Sequence, residues 1–295
     1  MLNVELKSQL RARGICVIIP TYNNEKSIRQ VVTDTLNYCD DVIVVNDGST
    51  DRTIATLHEM DGITLVSYPQ NKGKGHALRE GFRKALSMGF AFAITLDADG
   101  QHYPADIALF LKANQEHPGA LIVGSRQLEG VDRSKGSNFA NQFSNFWFYV
   151  QTGKALEDTQ TGYRLYPLHK LHGLGMLTSR YEAELELLVF ASWHGVELVS
   201  IPVNVYYPPR EERVSHFRPG KDFARISVLN TVLCFLAVVY GLPLRLGRKL
   251  MVFLRTLYSL LFFLFFTMVV FTPAAWLYLK LGKVTEKKRY RLHQL

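Results

Sequence analysis

Cysteine is scarce in this 295-residue chain, and its three cysteines, Cys16, Cys39 and Cys234, show no paired spacing. The sequence therefore argues against a disulfide framework or a zinc site, and it suits a reducing environment such as the cytosol. The first residues, MLNVELKSQLRARG, contain no continuous apolar segment, so we expect no signal peptide. No internal repeat is present.

Acidic residues are fewer than basic ones, with 26 Asp and Glu against 34 Lys and Arg and a formal charge of +8. A basic chain suits nucleic acid, acidic lipid or a phosphate-bearing substrate. The basic residues crowd the last third of the chain, beside apolar stretches. This placement favours a membrane surface with its lipids and argues against nucleic acid as a partner.

Two uncharged stretches lie in that last third, 19 residues at 226–244 and 24 residues at 256–279. Because a membrane span needs about 20 apolar residues, the second stretch predicts a transmembrane helix. The first, with Asn230 and Pro243, is compatible with a span, an interfacial helix or a buried soluble helix. We predict a catalytic domain over 1–220 with a juxtamembrane loop at about 208–221. A membrane region with both helices and a basic tail then occupies 221–295, and the choice between one span and two stays open.

Apolar β-branched runs alternate with helix-like segments over the first two thirds of the chain. The predicted strands are 15–20, 41–47, 63–68, 91–97, 120–125, 162–167 and 196–207, and the predicted helices are 25–38, 49–60, 76–88, 141–152 and 180–194. This alternation predicts an α/β fold with a doubly wound, mainly parallel sheet. Ligands of such sheets bind beyond the carboxyl ends of the strands.

Two carboxylates, Asp97 and Asp99, end the fourth predicted strand in the segment TLDADGQ. Residues i and i+2 of an extended segment point the same way, so both carboxylates can face one point. Like charges this close repel each other unless a cation lies between them. Hard oxygen ligands suit Mg²⁺ or Mn²⁺, and Gln101 could add a carbonyl oxygen. The alternative is an ordinary turn rich in Asp and Gly.

Polar residues at two other loops fit a nucleotide. Asp47 ends the second predicted strand, where its carboxylate could accept from a base N–H or a ribose hydroxyl; a turn or cap acid is the alternative. The loop NKGKG places Lys72 and Lys74 in a glycine-rich turn before a helix. Glycines let backbone N–H groups approach a phosphate, and a helix N-terminus favours an anion. A solvated loop is the alternative there.

Six segments in fixed order, IIPTYNN, VVNDGSTD, NKGKGHALREGF, TLDADGQHYPAD, VGSR and DTQTGYRLY, together resemble family 2 glycosyltransferases with the GT-A fold. More narrowly, they resemble the dolichyl- or polyprenyl-phosphate mannose and glucose synthases, over roughly residues 14–207. Asn24 departs from this pattern, since the family often has Glu there. The QxxRW signature of processive synthases is absent, which argues against polymer synthesis.

The resemblance implies roles for residues at each loop. The implied metal ligands are Asp97, Asp99 and Gln101. The implied donor-binding residues are Pro20, Thr21, Tyr22, Asn24, Asp47, Lys72, Lys74, Asp97, Arg133, Arg213 and His216, the last two in a loop before the membrane region. The implied catalytic residues, which act near the reacting phosphates and the acceptor, are Asp99, Arg126, Asp158, Gln160 and Arg164.

The resemblance also implies a reaction. We expect an inverting, metal-dependent transfer of a hexose from a UDP- or GDP-linked sugar to a polyprenyl or dolichyl phosphate. The enzyme would be integral to the membrane, with its catalytic domain on the cytoplasmic face and Mg²⁺ or Mn²⁺ as cofactor. A hydroxyl acceptor is the first alternative, with Asp158 or Glu182 as base. The second is a non-catalytic membrane scaffold that binds nucleotide sugars. Homo-oligomerisation is left open.

Overall fold

The computed structural model describes residues 2–126, 135–174, 177–206 and 219–266. The chain divides into two compact units, Met1–Leu242 and Pro243–Leu295. The first unit contains a seven-stranded sheet, in the order β3-β2-β1-β4-β6-β5-β7. Its strands are β1 Ile15–Thr21, β2 Val42–Asp47, β3 Ile63–Tyr68, β4 Phe92–Thr95, β5 Leu121–Arg126, β6 Arg164–Pro167 and β7 Leu198–Val203.

The sheet is mainly parallel, as the sequence predicts. Only β6, of the strands described, runs against its neighbours β4 and β5, whereas the pairings among β1, β2, β3 and β4 and between β5 and β7 are parallel. β1 lies between β2 and β4, so the strand order reverses at the boundary between β1 and β4. Ligands of open α/β sheets bind at such a reversal, beyond the carboxyl ends of the strands.

Helices of the first unit cover both faces of this sheet. The helices of that unit are α1 Leu2–Ala12, α2 Ile28–Leu36, α3 Thr53–His58, α4 Lys74–Ser87, α5 Ile107–Glu116, α6 Lys135–Thr152, α7 Leu168–Leu171, α8 Glu182–Trp193 and α9 Pro219–Leu236. Helix α10, Leu242–Phe266, begins at the unit boundary and belongs to the second unit. The pattern of the sequence missed α1, α5 and α7. It also began α2 and α3 three or four residues too early, because their first residues form the loops described below.

The core lies on the two sides of the sheet, and β1 contributes to both. Its side chains alternate between the faces, so that Cys16 and Ile18 pack with residues of α4, α8 and α9, whereas Val17 and Ile19 pack with residues of α1, α2 and α5. All seven residues of β1 are buried. A strand buried on both faces reads as a continuous apolar run, which is why β1 was recognisable from the sequence.

Helix α9 carries the first part of the uncharged stretch 226–244 and packs on the core of the first compact unit. Leu229, Leu233 and Ala237 are buried at helical spacing against the core that contains α8, while Val228 and Phe235 are about two-thirds exposed, at 65% and 66%. The domain boundary predicted at residue 220 therefore falls at the start of a helix that belongs to the first compact unit.

The basic residues that follow the uncharged stretch 226–244 lie within a helix. A π-helical turn, Ala237–Gly241, is followed by α10, which continues through Arg245, Arg248 and Lys249. Leu, Arg and Lys all favour helix, so the charges do not interrupt it. Among the described residues, one helical stretch, Arg225–Leu261, is long and apolar enough to cross a membrane. The second predicted helix, 256–279, lies within the described part of the chain only as far as residue 266.

Candidate active site

The loops after β1 and β2 hold each other by hydrogen bonds. Asn23, at a φ of 53°, is the one described non-glycine residue with positive φ. Its backbone N–H donates to Ser49 Oγ at 3.0 Å, and its side-chain oxygen accepts from the Thr50 N–H at 2.8 Å. The Asn24 N–H donates to Thr53 Oγ1 at 2.9 Å. These hydrogen bonds hold the edge of the sheet beside β1 in shape.

The residues predicted to contact the nucleoside lie along this edge. Pro20 and Thr21 are the last residues of β1 and are buried, and Pro20 lies opposite Val45 of β2. Tyr22 is partly buried just beyond the strand. The Asn24 side chain turns back and donates to Thr21 Oγ1 at 3.2 Å and to the Tyr22 carbonyl at 3.1 Å. Asn24 thus holds the loop in shape, a role that the family's usual Glu could not fill as a donor.

The Asp47 side chain forms hydrogen bonds with the glycine-rich loop. Its carboxylate accepts from the backbone N–H groups of Lys72 and Gly73, each at 2.8 Å, and from Asn71 Nδ2 at 3.0 Å. The side chain is buried at the end of β2. In this arrangement Asp47 positions the loop, whereas the sequence predicted that it would accept a hydrogen bond from the nucleoside.

The glycine-rich loop passes close to the segment before α8, and its glycines permit the approach. Gly73 has a φ of +98°, and an added Cβ would lie 2.7 Å from the Ser179 carbonyl oxygen. An added Cβ on Gly75 would lie 2.3 Å from the Ala183 Cβ. Lys72 places its Nζ atom 5.5 Å from the centroid of the Tyr68 ring. The loop leads directly into the N-terminus of the 14-residue helix α4, where backbone N–H groups favour an anion.

A carboxylate cluster lies at the end of β4, formed by Lys74, Asp97, Asp99 and Glu184. Lys74 Nζ is 2.7 Å from Asp97 Oδ1 and 2.9 Å from Glu184 Oε2. Burial alone would lower the pKa of Lys74, but the charges of Asp97 and Glu184 raise it above its ordinary value. Burial opposes ionisation of Asp97 as well, yet the Lys74 ammonium holds its pKa below the ordinary value. The pair is therefore ionised at neutral pH.

Asp99 forms no ion pair with another described residue. Burial, and next the charge of Asp97, raise its pKa to about 6. Its Oδ1 atom accepts from the Gln101 N–H at 3.0 Å, and the Gln101 carbonyl accepts from the Tyr206 N–H at 2.7 Å. The cluster thus contains three carboxylates and one ammonium group, an arrangement in which a further cation is favourable.

The donor set at this edge fits a small hard cation. Asp97 and Asp99 supply carboxylate oxygens, and Mg²⁺ is commonly held by one or two carboxylates together with substrate phosphates. Within the described ranges, no group of three or more His, Cys, Asp and Glu side chains is placed to hold a metal alone. A cation held by Asp97 and Asp99 would have to share Asp97 with Lys74.

An arginine cluster, formed by Arg126, Asp158 and Arg164, lies at the carboxyl end of β5 and the start of β6. Arg126 donates from Nε and Nη2 to the two oxygens of Asp158, at 2.5 and 2.9 Å. Burial alone would raise the pKa of Asp158, but the hydrogen bonds and charge of Arg126 hold it below its ordinary value. The guanidinium is 15% exposed, the carboxylate 2%. Arg126 therefore sits at the wall of the site with its orientation fixed.

Arg164 differs from its predicted position. Its side chain is fully buried and donates to the backbone carbonyls of Thr159 and Glu184, at 2.9 and 2.8 Å. Residue 164 is the first residue of β6, an interior strand of the sheet, and lies opposite Thr95 of β4 and Val123 of β5. A side chain enclosed in this way fixes the segment around residue 159 and the first turn of α8; it does not present a cation to a ligand.

Gln160 also bonds to the protein itself. Its Nε2 atom donates to the Ala140 carbonyl in α6 at 3.0 Å, and its backbone N–H donates to Asp158 Oδ1 at 3.1 Å. Asn145 of α6 accepts from the Thr159 N–H at 3.0 Å. The Asp158 segment is thus attached to α6 by several hydrogen bonds.

His102 is buried, and burial lowers its pKa to about 4, with the charges of Asp97 and Arg126 acting in opposite directions. His102 is therefore neutral at physiological pH. The two clusters lie on neighbouring strands, because β6 pairs with both β4 and β5, and the backbone at Gly162, just before β6, lies against the Asp97 carboxylate.

Three of the predicted site residues, Arg133, Arg213 and His216, lie outside the described residues. Glu184, in contrast, was not singled out in the sequence. Its signal was present in α8, where EAELE places three acids two residues apart at the start of an otherwise apolar helix. The rival base candidate Glu182 is the first residue of that helix and is buried.

Comparison with known proteins identifies related sequences. Residues 16–165 match the sequence profile described as "Glycosyl transferase family 2". The chain is 30% identical over 216 residues to a UDP-N-acetylglucosamine–dolichyl-phosphate N-acetylglucosaminyltransferase of Methanococcus voltae, covering 65% of this chain and 86% of the relative. It is also 30% identical over 216 residues to a polyprenol monophosphomannose synthase of Mycolicibacterium smegmatis, covering 68% and 79%.

A solved structure shares the fold. Glucosyl-3-phosphoglycerate synthase from Mycobacterium tuberculosis, in complex with Mn²⁺, uridine diphosphate and phosphoglyceric acid, superposes with a TM-score of 0.60. The match covers 80% of this chain and 82% of that one at 19% identity. At this identity the similarity establishes a common architecture.

Proposed function

The chain belongs to glycosyl transferase family 2, and we propose that it transfers a hexose from a nucleotide sugar to a polyprenyl or dolichyl phosphate. Membership makes it a glycosyltransferase, and the GT-A fold expected from its motifs is confirmed by the shared architecture of the solved synthase. The donor nucleotide, the cofactor, the stereochemistry and the residue roles are parts of the proposal. Relatives that act on dolichyl and polyprenyl phosphates support the acceptor class.

One observation supports the proposal most, namely that a cluster with excess carboxylates lies at the end of β4 and a guanidinium group, Arg126, whose orientation is held by Asp158, lies at the end of β5, with one strand, β6, between them. A nucleotide sugar and a lipid phosphate both bring phosphate groups. The first cluster can bind a diphosphate only together with a cation, whereas Arg126 can bind a phosphate directly. The two clusters therefore suit two different phosphorylated substrates at one edge of the sheet.

The donor would bind across the ends of β1, β2 and β4. Pro20, Thr21 and Tyr22 border the place for its UDP or GDP base and ribose, and Asp47 keeps the glycine-rich loop in position. Lys72 and the N-terminus of α4 lie where they can attract the diphosphate. Asp97, Asp99 and Gln101 would hold Mg²⁺ or Mn²⁺, which when bound neutralises charge on a departing diphosphate.

The acceptor would bind on the β5 side. A phosphate monoester has a second pKa of about 6, so it is largely dianionic at neutral pH and needs little help from a base. It does need a cation, and Arg126, held by Asp158, offers one whose donors are already oriented. Attack from this side, opposite the leaving diphosphate, inverts the anomeric centre. Arg164 and Gln160 act indirectly, by fixing the Asp158 segment.

A long-chain acceptor requires a membrane, and the chain has a helix suited to one. We assign Arg225–Leu261 as the region of membrane association, with the catalytic unit on the cytoplasmic face, where nucleotide sugars and reduced cysteines are both expected. All three cysteines are free thiols. Protease treatment of vesicles prepared from native membranes tests this orientation, since cleavage of the catalytic unit only after lysis of right-side-out vesicles is expected.

The activity is tested directly with purified protein, UDP- and GDP-hexoses, Mg²⁺ or Mn²⁺ and a short polyprenyl phosphate. Mass spectrometry is expected to detect the lipid phosphate with one added hexose, and mild acid is expected to release that hexose, because a glycosyl phosphate is labile. A product on a hydroxyl acceptor that resists mild acid would support the alternative reaction. A protein that binds nucleotide sugar but yields no product with either acceptor would support the scaffold.

A further inference from the structure

The ammonium group of Lys74 lies between two carboxylates of the carboxylate cluster. Its Nζ atom contacts Asp97 Oδ1 at 2.7 Å and Glu184 Oε2 at 2.9 Å. The three side chains come from different elements, since Lys74 begins α4, Asp97 follows β4, and Glu184 lies in the first turn of α8. All three are less than a third exposed, at 17%, 26% and 8%. Lys74 thus neutralises one of the two carboxylates that a metal would use.

The packing around this contact holds it in place. An added Cβ on Gly162 would lie 2.5 Å from Asp97 Oδ2 and 2.7 Å from Lys74 Nζ, so the pair is enclosed by backbone on that side. Gly75 brings the start of α4 against Ala183, next to Glu184. The geometry of α4 and α8 therefore sets the distance between Lys74 and Glu184 independently of Asp97.

One of the two carboxylate oxygens of Glu184 is not used in the contact with Lys74. Its Oε1 atom is buried and has no hydrogen-bond partner among the described residues. Burying a carboxylate oxygen without a hydrogen-bond partner lowers the stability of the fold. A functional role for Glu184 would explain why the chain has an acid at this position. If Lys74 leaves Asp97, Glu184 is the acceptor that can keep the ammonium group paired.

We propose that Lys74 is an internal counter-ion that occupies the cation position of Asp97 until the donor complex binds, and that Glu184 is the positioning residue that retains Lys74 when a divalent cation takes Asp97. This inference rests on the proposed function, because it treats the carboxylate cluster as the cation site of the transferase. It assigns Glu184 a role that acts only through Lys74. The device would lower the affinity for a bare cation and favour binding of the cation together with the nucleotide sugar.

Mn²⁺ binding to the purified full-length protein without nucleotide tests the proposal, with free Mn²⁺ measured by electron paramagnetic resonance. Lys74→Met removes the competing charge, so Mn²⁺ is expected to bind about tenfold more tightly. Glu184→Gln leaves a displaced Lys74 without a partner, so Mn²⁺ is expected to bind several-fold more weakly. In the double variant the Glu184→Gln effect is expected to be clearly smaller than in the wild-type background, because the part that acts through Lys74 is gone and only the direct attraction between the carboxylate and the cation remains.

A purely structural ion pair gives a different pattern. Both single variants would then leave Mn²⁺ affinity unchanged or shift it in the same direction, and either result overturns the proposal. So does a Glu184→Gln effect that is undiminished in the Lys74→Met background. Lys74→Gln replaces Lys74→Met if the latter does not yield folded protein, as judged by its thermal transition. Lys112→Met and Glu116→Gln, a pair exposed on α5, are matched controls that should not change Mn²⁺ binding.

The proposed function and this inference fail separately. The expected Mn²⁺ pattern in a protein that transfers no sugar to a lipid phosphate would reject the function alone. Sugar transfer by a wild-type protein that binds no Mn²⁺, with or without nucleotide, would reject the counter-ion role of Lys74 and leave the transferase function standing.

Discussion

In the carboxylate cluster the Lys74 ammonium group pairs with Asp97 and Glu184 but not with Asp99, whereas in the arginine cluster Asp158 pairs with Arg126 while Arg164 donates to backbone carbonyls. Asp99 is left with a pKa raised to about 6. In the arginine cluster, Asp158 is held ionised by a two-point contact with Arg126. The comparison teaches that the first site carries an acidic group, Asp99, that no described basic residue pairs with, while in the second Asp158 and Arg126 satisfy each other and Arg126 is held in one orientation.

The largest effect is expected from breaking the arginine cluster. Asp158→Asn leaves Arg126 without its carboxylate in a largely buried place, which should lower the free energy of unfolding by about 3 kcal/mol. A clear fall of the thermal midpoint is the expected measurement. Asp40→Asn removes a partner of Lys7 in an exposed pair, of which Asp40 is 48% exposed, and should cost less than about 1 kcal/mol. Equal effects of the two variants would mean that the arginine cluster does not support the fold.

Removing a carboxylate from the other cluster should affect activity far more than folding. Asp99→Asn is expected to reduce kcat/KM for hexose transfer about 100- to 1000-fold, the scale of losing one group that stabilises transition-state charge. The exposed Asp61→Asn is the matched control and should transfer at the wild-type rate. Full activity of Asp99→Asn would contradict the assignment of Asp99 to the donor site.

The same variant should stabilise the protein when no metal is present. The pKa of Asp99 is raised from 3.8 to about 6 in the folded state, so the folded protein binds that proton more tightly than the unfolded chain. The stability from this group is present below pH 4 and is lost as the pH rises through about 6. Asp99→Asn should therefore melt above the wild type at about pH 7.5 in chelator, and the difference should disappear near pH 4. A lower midpoint of the variant at the higher pH would show that Asp99 is already neutralised by a protein group.

The sequence located much of this arrangement because its signals are local. Continuous apolar runs identify β1 and β2, and the polar residues that follow them, together with Asp97 and Asp99, do lie at one edge of the sheet. Helix α5, with the residues IALFLKANQE, was not predicted; it follows the turn that contains Asp97 and Asp99. Element boundaries shifted where loop residues such as Asn24 bond to a neighbouring loop.

The pairings within the site could not be read from the sequence, because they join residues that are distant in the chain. Asp158 bonds to Arg126 across 32 positions, and Lys74 meets Glu184 only because α4 and α8 pack through Gly75 and Ala183. The family resemblance of the segment DTQTGYRLY implied that Arg164 acts near the acceptor. Its burial depends on where an antiparallel strand, β6, enters the sheet between β4 and β5, which no local pattern specifies.

The smallest expected effect concerns the support of the carboxylate cluster from α2. Ser27 Oγ donates to the Ala98 carbonyl, between the two aspartates, at 2.6 Å. Ser27→Ala should cost about 1 kcal/mol of stability and weaken Mn²⁺ binding slightly, as measured by thermal melting and spin resonance. Ser87→Ala removes a similar bond within an exposed helix end and should leave Mn²⁺ binding unchanged. If both variants behave alike, the Ser27 bond does not shape the cluster.

A structure of the protein with Mn²⁺, a nucleotide sugar diphosphate product and a short polyprenyl phosphate tests the central claim most directly. We expect Mn²⁺ between the diphosphate and Asp97 and Asp99, Lys74 moved towards Glu184, and the lipid phosphate at Arg126. A carboxylate cluster without metal, with the nucleotide bound elsewhere on the chain, would contradict the account.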